Sequence, residues 1–168
     1  MKKCMSCVLL TLIVLLIAGV AYAGSSTASL RVTATVVSYC TISTNPVNFG
    51  AVTGAGEITA NATGSITVNC PADQAYHIAL DAGLHAAGSA RQISDGSYSV
   101  SYQLYKNSIE GSSWGDSDYS NVFPAGSSLS AAGIGTVEGH PVYGALAGFS
   151  GIPPGTFLSD TVTVTVYY

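Results

Sequence analysis

From Ser29 to Ile42 the chain runs through fourteen residues without a turn signal. In "SLRVTATVV", residues 29–37, Leu30, Val32, Ala34 and Val36 fall on one side of an extended backbone. Ser29, Arg31, Thr33 and Thr35 fall on the other. Successive side chains of a strand point to opposite faces, so this period-two pattern predicts a half-buried β-strand. The alternation continues in phase through Cys40 and Ile42, with no Asn-Gly, Asp-Gly or Pro to turn it back. Unbroken, the stretch would span about 46 Å at about 3.3 Å per residue, whereas a strand in a small domain covers roughly 17–20 Å. Only part of it can lie on one domain. Either the chain bends at Val37–Tyr39 and folds back, or residues 29–37 are meant for another molecule. Arg31 alone blunts the segment against edge-to-edge pairing.

The residues before this strand read as an export signal. A basic "MKK" precedes the apolar run "VLLTLIVLLIAGV", and "AYA" at 21–23 supplies a small-residue cleavage site. Residues 1–23 are therefore expected to be removed, which leaves no stable membrane span and discards Cys4 and Cys7. An uncleaved anchor is the alternative, disfavoured because the cleavage site directly follows the apolar run. The remaining 145 residues suit one domain with one core. They carry Arg31, Arg91 and Lys106 against nine acids, a net charge of −6. Nucleic acid is excluded as a partner, because phosphate binding needs clustered basic residues. Charged residues make up only 8% of the chain, against about a quarter in ordinary globular domains. A surface of Ser, Thr, Gly, Ala and Tyr suits a chain that packs against copies of itself. Cys40 and Cys70 remain, an even count in an exported chain, which suggests one disulfide. Its loop of about 31 residues would contribute roughly 3–4 kcal/mol by chain entropy. A free buried pair is the alternative, and the ligand count is too low for zinc.

Further period-two segments follow. "GSITVNC" (64–70) alternates Ile66, Val68 and Cys70, and "AYHIALDA" (75–82) alternates Tyr76, Ile78 and Leu80. "SYSVSYQLYK" (97–106) places Tyr98, Val100, Tyr102 and Leu104 on one face, and "HPVYGALAG" (140–148) is a shorter apolar strand. "DTVTVTVYY" (160–168) alternates Val162, Val164, Val166 and Tyr168 against Thr161, Thr163, Thr165 and Tyr167. Gly-, Pro- and Ser-rich turns separate these segments, and no amphipathic helix interrupts them. The spacing predicts an all-β sandwich of the immunoglobulin type. Such a sandwich places a further strand beside the one that ends this chain. A domain that stops there leaves a groove and an unpaired edge. A spare strand at one end and a missing strand at the other suggest strand donation between subunits. That contact is head to tail and does not close, so it makes a fibre.

Catalytic readings are weaker than structural ones. "GSSWG" (111–115) fits a hydrolase elbow around Ser113, with Asp116 or Asp118 and His140 following in order. A helix should come next, but "DSDYSN" is not one. A Gly/Ser loop is the better reading. His77, His85 and His140 are dispersed, and His77 is expected on a solvent face. "DSD" (116–118) begins like a calcium loop but has Asn121 at position 6 and Ser127 at position 12. No catalytic, metal or cofactor site is assigned. "NAT" (61–63) is a glycosylation sequon that matters only in a eukaryotic secretory pathway. Tyr98 and Tyr102 are expected in the core, while Trp114, in a loop, is a candidate exposed aromatic for surface adhesion.

The succession "YCTIS…PVNFG", "GSITVNC", "ARQISDGSYSVSYQLYKN", "WGD", "PVYGAL" and "PPGTFLSDTVTVTVYY" resembles the spore coat protein U domain family. That family includes subunits of archaic (Csu-type) chaperone–usher pili, and the resemblance spans essentially the whole mature chain. It implies an incomplete immunoglobulin-like β-sandwich lacking its last strand, over residues 39–168. Residues 24–38 would form the donor segment, with Leu30, Val32, Ala34 and Val36 filling a neighbour's groove. Cys40 and Cys70 match the family's disulfide pair. Val162, Val164, Val166 and Tyr168 would edge the groove and face the chaperone. The implied partners are neighbouring subunits, a periplasmic chaperone and an outer-membrane usher. The implied destination is a fimbrium at the cell surface, with a role in adhesion and biofilm. A spore-coat or matrix protein of the same fold, or a secreted hydrolase, are the alternatives. The chain has no room for an extra binding domain, so a shaft or adaptor subunit is expected over a tip adhesin.

Overall fold

Alternating β-branched and polar residues pair into eight strands among the described residues. The computed structural model describes residues 25–35, 37, 39–52, 59–119 and 126–168. The strands are β1 (Thr41–Asn45), β2 (Asn61–Asn69), β3 (Ala75–Leu80), β4 (Arg91–Ser94), β5 (Ser99–Tyr105), β6 (Leu129–Ala132), β7 (Val137–Leu146) and β8 (Val164–Tyr167). They form two antiparallel sheets, one ordered β1-β2-β7-β5-β4 and the other β6-β3-β8. The result is a β-sandwich. Ile66 and Val68, Tyr76, Ile78 and Leu80, Val100, Tyr102 and Leu104, and Val142 and Leu146 project inward as the core. Each such aliphatic side chain contributes about 1.5–3 kcal/mol by leaving water. No helix among the described residues is long and apolar enough to cross a membrane.

Four of the expected strands appear with shifted ends. The fifth, expected over 160–168, is a ladder only over Val164–Tyr167. Pro141 sits within β7 opposite Ser65, at a point where β5, paired over Tyr143–Leu146, has not yet joined. A residue without an N–H is tolerated there. Of the alternating stretch from Ser29 to Ile42, only Thr41 and Ile42 lie in a strand among the described residues, at the start of β1. Residues up to Thr35 form a unit separate from Val36–Tyr168. Within that first unit residues 25–35 are all exposed and carry no strand. A strand exists through its ladder, and alternation alone does not supply one. The export signal at 1–23 and Val36 lie outside the described residues.

Cys40 and Cys70 are joined in a disulfide between the start of β1 and the end of β2. Tyr98, expected in the core, is 38% exposed, whereas Tyr102 is buried. Trp114 also departs from expectation: it is fully buried, not an exposed adhesive aromatic. The Gly/Ser stretch before it folds back on the end of β5, with Lys106 N–H donating to the Ser112 carbonyl (3.1 Å) and Trp114 N–H to the Leu104 carbonyl (2.8 Å). This carries the indole between the sheets, where Nε1 donates to the Ile78 carbonyl at 2.8 Å. Ser113 bridges to Tyr105, and His140 instead meets the Tyr76 hydroxyl at 2.8 Å. His77, expected on a solvent face, is half-buried beside Tyr119, their ring centroids 5.0 Å apart.

Candidate functional site: an open apolar cleft

Between residues 44–52 and 152–164 lies a cleft of about 1220 Å³. Its floor is core: Ile66, Leu80, Ile93, Leu104 and Val142 reach its surface. The first wall begins where Pro46 ends the β1–β2 ladder, after the pair Asn45–Ser65. The chain then crosses over the inner face of the five-stranded sheet, and two glycines make this possible. A Cβ on Gly144 would stand 2.6 Å from Val47 Cγ1 and 2.9 Å from Phe49 Cζ. One on Gly64 would stand 2.7 Å from the Asn45 carbonyl oxygen and 2.9 Å from Val47 Cγ2. Val47 thus sits in a notch that exists because neither strand has a side chain there. Phe49 packs edge-on against Tyr102, ring centroids 6.4 Å apart.

The second wall is β8 and the segment that leads into it. Burial alternates without a break from Thr156 to Val166, so Leu158, Asp160, Val162, Val164 and Val166 share one inward row. β8 pairs with β3 from Leu80–Val164 to His77–Tyr167. Asp81 N–H donates to the Thr163 carbonyl at 3.1 Å, which makes residues 81 and 163 a hydrogen-bonded pair. Antiparallel pairs alternate between bonded and non-bonded, so the main-chain groups of Val162, Val164 and Val166 point away from β3. β8 ends the three-stranded sheet and β1 ends the five-stranded one. Two sheet edges therefore flank an apolar cleft.

One polar network interrupts the apolar lining. Asp160 is the only charged residue among the described residues that line the cleft, and its side chain is 2% exposed. Its Oδ1 accepts from the N–H groups of Leu84 (2.9 Å), His85 (3.3 Å) and Thr161 (2.8 Å). Oδ1 also contacts His85 Nδ1 at 3.3 Å. Oδ2 accepts from the Tyr102 hydroxyl at 2.7 Å. Burial, reinforced by that hydrogen bond, pushes the Tyr102 phenol well above its usual range. Asp81 completes the clamp, its Oδ1 accepting from Gly83 N–H (2.9 Å) and Thr163 N–H (2.8 Å). Beneath it Arg91, fully buried, donates to the carbonyls of Asp81 (2.6 and 2.9 Å), Leu80 (3.0 Å) and Trp114 (2.9 Å). Burial lowers its pKa, partly countered by Tyr102 and by Asp81, Asp116 and Asp160. A buried guanidinium is tolerable when its donors are met in this way. The network fixes the 81–85 turn against the start of the second wall.

Of the residues marked in the sequence, Val162 and Val164 line the cleft, Val166 continues their row, and Tyr168 is exposed at the chain end. Leu30 and Val32 are 89% and 84% exposed, and Ala34 is exposed as well. Sequence reasoning assigned no role to Val47, Phe49, Tyr102 Oη or Asp160. The available signals were the alternation after Pro46 and the extension of the Val row back through Asp160 to Leu158.

The spore coat protein U domain model matches residues 26–165. Among solved structures, the chain is similar to a chain of the CsuC–CsuE chaperone–tip adhesion subunit pre-assembly complex from archaic chaperone–usher Csu pili of Acinetobacter baumannii. The two share 24% identity and a TM-score of 0.57. The match covers 80% of this chain and 40% of that one, so this chain spans well under half of its length. No curated protein matches the chain.

Proposed function

We propose, from the premise that the chain belongs to the spore coat protein U domain family, that it is a structural, non-enzymatic subunit of a surface fibre. Residues 1–23 direct export and are then cleaved off after Ala23. A periplasmic chaperone and an outer-membrane usher handle the subunit, and each copy completes the next by donating residues 29–37. The observation that carries this reading is the open apolar cleft with β8 exposing main-chain hydrogen-bonding groups along it. Such a cleft in water leaves apolar area and backbone groups unsatisfied, and an added strand removes both deficits. Residues 29–37 supply four apolar side chains at alternate positions, and Leu30, Val32 and Ala34 are exposed. Adhesion and a contribution to biofilm belong to the assembled fibre in this reading, not to Trp114.

The test is a denaturing gel of the exported chain with its assembly machinery, run with and without boiling. A ladder of multimers that collapses on heating is the expected result. A single monomer band in both lanes would refute strand exchange, and a coat or matrix protein closed on its own strand would replace it.

A further inference from the structure

We infer that the cleft reads the incoming strand in one register, with Ala34 of a second copy of this chain seated opposite Asp160. This rests on the strand-donation reading above and adds which residue meets which. The inward row of the second wall reads Leu158, Asp160, Val162, Val164: three branched apolar side chains interrupted by one carboxylate. The donor row, taken backwards, reads Val36, Ala34, Val32, Leu30: three branched apolar side chains interrupted by one small residue. Antiparallel pairing sets one interruption against the other. Val36 then meets Leu158, Ala34 meets Asp160, Val32 meets Val162 and Leu30 meets Val164. The parallel arrangement of the same four positions puts Val32 on Asp160. A slip of two residues in the antiparallel one puts Val32 or Val36 there.

The carboxylate cannot make room for a branched side chain. Both its oxygens are engaged, by three N–H groups and His85 on one side and the Tyr102 hydroxyl on the other. Gly83 approaches so closely that a Cβ there would collide with Asp160 Oδ2. A methyl group fits over this network, whereas Val or Leu would crowd its fixed partners. The outward residues agree with the same register. Thr33 comes opposite Thr161, and Thr35 opposite Ser159, cross-strand hydroxyl pairs that favour sheet formation. Register is strongly specified where one face is buried, and here the polar interruption supplies the marker.

The test uses the full exported chain with paired cysteines. Thr33→Cys with Thr161→Cys is compared with Thr33→Cys with Ser159→Cys, and with Thr33→Cys with Thr163→Cys. The expected result is a ladder that survives boiling without reductant from the first pair only, lost when reductant is added. Such a ladder from either other pair, or from none while a heat-sensitive ladder still forms, overturns the register and leaves strand donation standing. A cross-link within a single chain overturns the second copy as occupant. The absence of any ladder before heating overturns strand donation itself. Independently, Ala34→Leu should lose the heat-sensitive ladder while Val32→Leu retains it, and equal ladders from the two would overturn the assignment.

Discussion

Gly144→Ala separates the free subunit from the strand-filled one. The new methyl would stand 2.6 Å from Val47 Cγ1 and 2.9 Å from Phe49 Cζ, so both side chains must move. Overpacking of this kind costs about 1–3 kcal/mol in a closed core. Here both side chains line a cleft of about 1220 Å³ and can move into it. Most of the strain is relieved, and the lower chain entropy of Ala in the unfolded state returns about 0.4–1 kcal/mol. The free subunit should therefore keep its stability to within about 1 kcal/mol. Once a strand fills the cleft the escape is gone, so acceptance should weaken by about 1–2 kcal/mol, roughly 5- to 30-fold. Gly64→Ala is the contrast. Its methyl meets backbone, the Asn45 carbonyl oxygen at 2.7 Å and the Pro46 carbonyl carbon at 2.9 Å, and should destabilise the free subunit by about 1–2 kcal/mol. Urea denaturation measures the free subunits, and the rate of appearance of heat-sensitive dimers measures acceptance. If Gly144→Ala lost as much stability as Gly64→Ala and accepted strands at the parental rate, the reasoning about the first wall would be refuted.

Trp114→Phe should lose about 2–4 kcal/mol, because it opens a cavity and leaves the Ile78 carbonyl without its donor; circular dichroism in urea reads it, and an unchanged midpoint would contradict the burial. Joint replacement of Cys40 and Cys70 by Ser should lower stability by about 3–4 kcal/mol, visible as a drop in the urea midpoint that reductant reproduces in the parent chain. Burial, with Glu138 nearby, pushes the Tyr76 phenol up to about 12, and burial also raises Tyr102. These raised values favour the folded state while the phenols are protonated, fully below about pH 10. That stability is lost as pH rises through the folded values, so the denaturation midpoint should hold to about pH 10 and then fall. Tyr102→Phe should make the alkaline fall shallower, and an identical slope would show that Tyr102 does not contribute.

The sandwich was legible because β2, β3, β5 and β7 each carry an apolar row at period two, and that row is what a half-buried strand must bury. β4 and β6 are four residues each, too short for a periodic signal; they are defined by their partners. Trp114 was misread for a related reason: the residues around it are Gly and Ser, whose pattern says nothing about direction. It is the Leu104 and Ile78 carbonyls that draw the indole inward. The two edges of the cleft were half legible. The Val row of 160–168 was plain, but Asp160 stood only as the first residue of that segment, because its partners Leu84, His85 and Tyr102 lie on segments distant in sequence. Val47 and Phe49 gave no hint of their seat, since that seat is two missing side chains, Gly64 and Gly144, on different strands.

The disulfide lies at the start of the sandwich, next in sequence to the segment proposed above as donor. Residues 29–37 end three positions before Cys40, and Cys40 is bonded to Cys70 at the end of β2, a strand flanked by β1 on one side and β7 on the other. A pull on residues 29–37 therefore would not load the hydrogen bonds of edge strand β1 one after another, as unzipping would. It would pass through a covalent link into the interior of the five-stranded sheet, where β2 is held along nine residue pairs by β7. A thread built from such units would carry tension along covalent bonds and broad ladders, and its weakest joint would be the seated strand itself.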